Sequence, residues 1–252
     1  MTIMLSRSEA FCGEQDVRRA MNGFLPRVMF VCTLALSQVA TAQSSNFQWW
    51  PEWDTYVSLN SRTRVSFTVS RKDDGLTPGS VQIGPNIDLS VKPLLRRRLR
   101  TNDESAYKYL SFGAGYRYIV TVDNPSEHRV LLEATPRFPL PLMLLLSDRQ
   151  RADLRVINGQ FSWRYRNCLM LERSLKIKQL SLTPFARGEL FYNSRYDLWN
   201  QNSYSFGATI PIRHRLDLEP FYEHRNNSQS SPQHIDALGF TMSLYLRSNR
   251  SQ

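Results

Sequence analysis

In "YEHRNNSQSS", residues 222–231, a histidine, two asparagines and three serines fall close together. His224 could deprotonate the hydroxyl of Ser228 or Ser230 while Asn226 or Asn227 orients the ring, the set a lipid hydrolase would use. The spacing argues against it. A strand would need His and Ser two residues apart to share one face, and here the hydroxyls begin four residues on, in a polar stretch. The favoured reading is a solvated loop with His224 at the headgroup level of a membrane. His128, His214 and His234 are scattered among turns and strand ends. No Cys/His spacing suggests zinc, no acidic loop carries a calcium ladder, and no glycine-rich loop suits a phosphate. No cofactor is expected.

The denser chemistry is ionic and periodic. "FSWRYRNCLMLERSLKI", residues 161–177, puts Trp163, Tyr165, Leu169, Leu171 and Leu175 on one parity and Arg164, Arg166 and Glu172 on the other. The same ionic parity recurs as Arg149, Arg151, Asp153 and Arg155, as Arg187 and Glu189, and as Asp217, Glu219, Glu223 and Arg225. Facing hydrocarbon, each arginine would cost roughly 2–4 kcal/mol at mid-membrane. Five of them together would cost on the order of 10–20 kcal/mol, as much as a domain's stability. The ionic row is therefore expected to line a lumen, where arginines and carboxylates on neighbouring strands can pair. Expected to face lipid instead are Leu110, Phe112, Trp163, Tyr165, Leu169, Leu171, Leu190, Phe206, Leu238, Phe240 and Leu244. In a barrel of this size, paired side chains acting as structural glue are the plain reading of the ionic row. A selective solute path is the sharper one.

The elements that must position these rows are strands. Period-two alternation runs through nearly all the chain after residue 54, and helical periodicity is hard to find. Alternation alone does not separate a soluble sandwich from a membrane barrel. Length does, because several alternating segments run ten to sixteen residues, against five or six in ordinary sheets and roughly 9–11 for a tilted spanning strand. Eleven such segments can be counted. Because bacterial single-chain barrels carry an even number, a twelfth is expected from "SSNFQWWP", giving an antiparallel transmembrane β-barrel of 10–12 strands, best guess 12. Gly84 and Pro85 mark a bend or edge position, and Gly113 and Gly115 make room for bulkier neighbours. Toward the C-terminus long and short linkers alternate ("SRYDLW", "RHR", "NNSQSSP"), as if one end carried turns and the other loops. Tyr192, Tyr196, Trp199, Tyr204, Tyr222 and Tyr245 fall near strand ends, where amphipathic rings suit a headgroup boundary.

The remaining features bound the setting. No stretch approaches the roughly 20 apolar residues of a spanning helix. Residues 21–42 have a basic start ending in Arg27, an apolar run and the small residues Ala40, Thr41 and Ala42, which is the pattern of a cleaved, helical signal peptide. Residues 1–20 are polar and patternless, so Met21 is the expected start, with residues 43–252 forming one barrel. Cys12 and Cys32 lie in or before the leader, leaving Cys168 with no disulfide partner. The formal net charge is +10, and removing Arg7, Arg18, Arg19, Arg27, Glu9, Glu14 and Asp16 leaves +9. Such a balance suits nucleic acid, an acidic membrane surface or an anionic solute, and export argues against nucleic acid.

Read in order, "WPEWDTYVSLNSRTRVSF", "IGPNIDLSVKPLL", "TPRFPL", "LSDRQRADLRVINGQFSWRYRN" and "FARGELFYNSRYDLWNQNSYSFGATIPIRHRLDLEPFYEHRNNSQSSP" make the chain resemble a bacterial outer-membrane barrel family catalogued as domain-of-unknown-function family 2490. The resemblance covers most of residues 50–246. It implies a barrel in the outer membrane of a two-membrane bacterium, with outer-membrane lipid and the barrel-insertion machinery as partners, and supplies no catalytic residue. One departure is the end, "RSNRSQ", where such barrels commonly finish on an aromatic residue. The expected role is pore-like or structural, with passage of a small anionic solute. The alternatives are a plugged barrel whose long loops bind an envelope partner or surface ligand, and the lipid hydrolase using His224. Oligomeric state is open.

Overall fold

The computed structural model describes residues 47–74, 77–91, 108–177, 180–213 and 215–247. The expected leader, the charge-dense "RRRLRTNDES", His214 and the final "SNRSQ" lie outside the described residues. Every described element is a strand: β1 Phe47–Ser58, β2 Thr63–Asp74, β3 Thr77–Ser90, β4 Leu110–Thr121, β5 Asn124–Pro139, β6 Leu144–Ile157, β7 Gln160–Arg173, β8 Leu175–Ile177, β9 Leu180–Asn193, β10 Leu198–Arg213, β11 Leu216–Asn227 and β12 His234–Arg247.

Consecutive strands pair antiparallel, except that β7 and β8 both pair with β9, and β1 closes the sheet against β12. β8 continues β7 across Ser174 in the same register on β9, as Glu172↔Phe185 and Leu175↔Leu182 show, so the closed wall has eleven strands. These are the eleven alternating segments of the sequence. The twelfth expected from "SSNFQWWP" is the first part of β1, since no turn separates it from "EWDTYVS". Strand direction reverses at every connection, so an odd count makes first and last strands parallel. They pair over twelve residues, from Phe47↔Asp236 to Ser58↔Arg247.

Several prolines of the wall fall where a ladder skips or shifts, among them Pro51, Pro85, Pro136, Pro211 and Pro220, and the first two show how they are accommodated. Proline lacks the N–H a central strand needs and is confined to edges or irregularities. Pro51 falls where the β1–β2 ladder skips from Trp49↔Asp73 to Glu52↔Ser70, beside a bulge at Lys72/Asp73. Pro85 falls where the β3–β4 ladder skips from Ile83↔Tyr118 to Asn86↔Gly115. The sequence left bend or edge open there. In a closed wall it is not an edge, and the Arg117 guanidinium donates to the freed carbonyls of Gly84 (3.0 Å) and Pro85 (3.3 Å). Gly84 is required beside Pro85, because a Cβ there would lie 2.0 Å from the backbone oxygen of Tyr116.

The connections do not sort into one short end and one long end. At the rim where β1 begins lie the links at residues 122–123, 158–159, 194–197 and 228–233. At the other rim lie 59–62 and 140–143, together with the longest link, between β3 and β4. The alternation expected from the last four strands holds only locally.

Candidate functional site

The polar parity points inward. A cavity of about 410 Å³ is lined by side chains from β1, β2, β3, β4, β5, β6, β7, β9, β11 and β12, so it is the lumen of the barrel. Eleven of its lining residues are basic and six acidic. Of the residues expected there, Arg149, Arg151, Arg164, Arg166, Arg187, Glu189 and Glu223 line it. Asp153 (0% exposed) and Asp217 (2%) are buried in the same inward row. Arg155 and Glu219 are held in it by ion pairs to Glu127 and Arg187. Glu172 shares the parity of Arg164 nearer the far rim.

On β5 to β9 the charges form a lattice. Asp153 accepts from Arg151 Nε (2.7 Å) and from Arg164 Nη2 (2.7 Å). Glu127 accepts from Arg129 Nε (2.7 Å) and from both Nε and Nη2 of Arg155 (2.7 and 2.8 Å). Glu189 takes the Arg166 fork on both oxygens (2.9 Å each) and Arg149 Nη2 at 3.3 Å. Register alone would have set like charges face to face, since Arg129 lies opposite Arg155 and Arg151 opposite Arg166. Like charges in that position destabilise a sheet, and the carboxylates on the diagonals offset them. The lattice is not saturated, because Arg149 Nε is buried with no hydrogen-bond partner among the described residues.

Aromatic rings inside the barrel were not expected from the sequence. Phe191 (2% exposed) lies beneath the Arg166 guanidinium at 4.7 Å and the Arg164 guanidinium at 5.5 Å. Trp50 (6%) has Lys72 Nζ 4.0 Å and Arg225 Cζ 4.4 Å from its ring. Arg225 also reaches Phe191 at 5.8 Å, so it bridges the sector from β1 to β9 near the first rim. Arg164, Arg166 and Arg225 also hold carboxylates, Asp153, Glu189 and Glu223, whereas Lys72 has none within ion-pair distance among the described residues and is held by the attraction of a cation for a desolvated ring. Parity carried the signal: Trp50 is in step with Asp54, and Phe191 with Arg187 and Glu189. Glu52, Asp54, Lys72, Arg117 and Arg129 are further lining residues beyond those expected.

The apolar parity points outward. Phe112, Trp163, Leu169, Leu171, Leu190 and Phe206 are exposed on the outer face, and Leu110, Tyr165, Leu238, Phe240 and Leu244 are half-exposed there. Trp163, Tyr165, Tyr192 and Trp199 form one outer aromatic cluster with ring centroids 5.2–6.0 Å apart. Tyr196 is exposed near the same rim, whereas Tyr204 and Tyr222 are exposed further along the outer wall, Tyr222 directly opposite Phe206. Tyr245 differs from expectation: it points inward and stacks on Tyr56 at 5.0 Å, because its parity follows Gly239 and Thr241 into the lumen.

His224 is on the outer face with both nitrogens engaged, Nδ1 with Asp236 (2.8 Å) and Nε2 with Asn226 (3.0 Å). The Ser228 hydroxyl donates to the carbonyl of Asn200 and that of Ser230 to the carbonyl of Pro232. No nucleophile meets this base, and the Ser-His-Asn set is not assembled.

A family model described as "Protein of unknown function (DUF2490)" matches residues 103–236, more than half the chain. No curated protein matches. Among solved structures, the chain is similar to a bacterial polysaccharide outer membrane secretin at 10% identity and TM-score 0.45. That match covers 73% of this chain and 63% of the other, so this chain spans less than two thirds of its length. It is also similar to the beta domain of the Bordetella autotransporter BrkA, at 13% identity and TM-score 0.38, covering 71% of this chain and 78% of the other.

Proposed function

The chain belongs to the family of unknown function DUF2490, and on that footing we propose that it is an outer-membrane β-barrel whose basic lumen admits small anionic solutes. The outer row of the wall meets acyl chains, and closure leaves no strand edge with unsatisfied backbone groups in hydrocarbon. The chain reaches that membrane by export behind the leader at residues 21–42 and is seated by the barrel-insertion machinery.

The observation that carries the solute reading is the cavity, where basic lining residues outnumber acidic ones by eleven to six. Basic side chains lining a pore attract anions and lower the cost of entry. The purified barrel in planar bilayers is expected to give steady conductance with reversal potentials favouring anions. An electrically silent barrel overturns this reading.

One observation favours a second reading, in which the barrel is plugged and its loops bind a partner or surface ligand. The Trp50–Arg225–Phe191 contact lies across one sector of the lumen near the first rim. In that case Arg225→Ala converts a silent barrel into a conducting one.

A further inference from the structure

The outer face of the wall is apolar at mid-height on most strands, with side chains such as Phe67, Ile83, Leu132, Phe206 and Phe240. The β6–β7 hairpin breaks the rule. Asp148 and Gln150 are the fifth and seventh of fourteen residues in β6, and Asn167 is the eighth of fourteen in β7. All three share the outward parity of Leu146 and Leu169, and Gln150 sits directly opposite Asn167. They are not loop residues at a wetted rim. A carboxylate and two amides stand midway along the spanning strands, where lipid offers them nothing.

Their hydrogen bonds are partly made among themselves. Asp148 Oδ1 accepts from Gln150 Nε2 and from Asn167 Nδ2, each at 2.7 Å. Gln150 Oε1 accepts from the Tyr165 hydroxyl. What is left over includes both donors and acceptors. Asp148 Oδ2 and Asn167 Oδ1 remain as acceptors, and Gln150 and Asn167 each keep one N–H. A surface that keeps unspent amide N–H groups beside unspent oxygens can pair with a copy of itself, the N–H groups of Gln150 and Asn167 in one copy meeting the Asp148 carboxylate of the other. Its flanks are also low: Ala134 lies beside Gln150 and Ala152 beside Tyr165 in register. Small residues let two packed surfaces approach closely within a membrane.

We infer that the outer face of the β6–β7 hairpin is an interface with a second copy of this chain. The two walls pack in the membrane so that the Asp148–Gln150–Asn167 cluster of each spends its remaining hydrogen bonds on the other. Both copies insert in the same orientation, so the twofold axis runs along the membrane normal and places clusters of equal height together. This inference rests on the membrane placement proposed above.

The test is sedimentation of the refolded full-length mature chain in density-matched detergent micelles, with wild type beside Gln150→Leu/Asn167→Leu. Wild type is expected as a dimer, and the double variant should dissociate at least about tenfold more readily. In liposomes, Ala152→Cys in a Cys168→Ser background should give a bis-maleimide band at twice the chain's mass, whereas Phe112→Cys, on β4, should not. Leucines in place of the amides suit lipid, so the variant's folded electrophoretic band is retained and loss of the dimer is not loss of the fold. A monomeric wild type overturns the interface, as does a double variant that dimerises as tightly. A barrel that inserts and conducts as a monomer leaves the solute reading standing. A chain that stays soluble without detergent removes both.

Discussion

The two sides of the lumen solve the same problem differently. On β5, β6, β7 and β9 the inward row is long and ionic, and six arginines interlock with Glu127, Glu133, Asp153 and Glu189. On β2 and β3 it is short and mostly neutral, with Ser66, Thr68, Ser70, Ser80, Gln82 and Asn86 among its members. The first side fills its share of the barrel with paired charge. The second leaves space, so the cavity is bounded by side chains that do not reach across. A polar interior can be kept in order by saturation or by smallness, and only the second leaves room for a solute. Arg117 on β4 stands between them, spending its donors on Gly84, Pro85, Asn86, Tyr116 and Thr68 rather than on a carboxylate.

If the ionic side is a lattice, its hub should be the most sensitive point. Asp153→Asn leaves Arg151 and Arg164 without their shared carboxylate. It is expected to cost about 3–5 kcal/mol in reversible urea unfolding of the lipid-inserted barrel, the scale for breaking a buried pair from one side. A loss below about 1 kcal/mol would mean that the pairs are wet and exchangeable. Arg117→Met tests the boundary between the two sides. Removing charged donors from carbonyls that Pro85 leaves unladdered should cost about 2 kcal/mol, and amide exchange at Gly115 should rise with it. The smallest effect belongs to the neutral side. Ser70 Oγ is buried with no hydrogen-bond partner among the described residues, so Ser70→Ala should stay within about 0.5 kcal/mol of wild type. A large loss there would show that the hydroxyls of β2 are as organised as the arginines of β6.

Much of this contrast was legible beforehand. Arg149, Arg151, Asp153 and Arg155 recur at every second position, and a period of two admits one assignment of faces once lipid is excluded as a neighbour of arginine. Phe191 and Trp50 were harder, because hydrophobicity argues outward and only parity with Glu189 or Asp54 argues inward. Tyr245 misled for a related reason: proximity to a strand end says nothing about which face the ring takes. The strand count turned on Pro51, which reads as a terminator but interrupts only the β1–β2 side of a continuing strand. The spacing of His224 and the nearby serines argued against a partnership in the sequence, and the fold keeps them apart. Pairing of β11 with β12 gives the ring to Asp236, and the loop turns the hydroxyls onto backbone carbonyls.

The sequence by itself determined the kind of wall: alternating strands long enough to span hydrocarbon, with charge on one row and grease on the other, because side-chain direction in a strand is a local property of the backbone. What only the tertiary structure decided was which strands met. Register set Arg129 against Arg155 and called in Glu127. Closure in eleven strands made β1 and β12 parallel, and adjacency of β6 and β7 gathered Asp148, Gln150 and Asn167 onto one outer patch. Those outcomes depend on contacts between residues far apart in the chain, and no local periodicity encodes them.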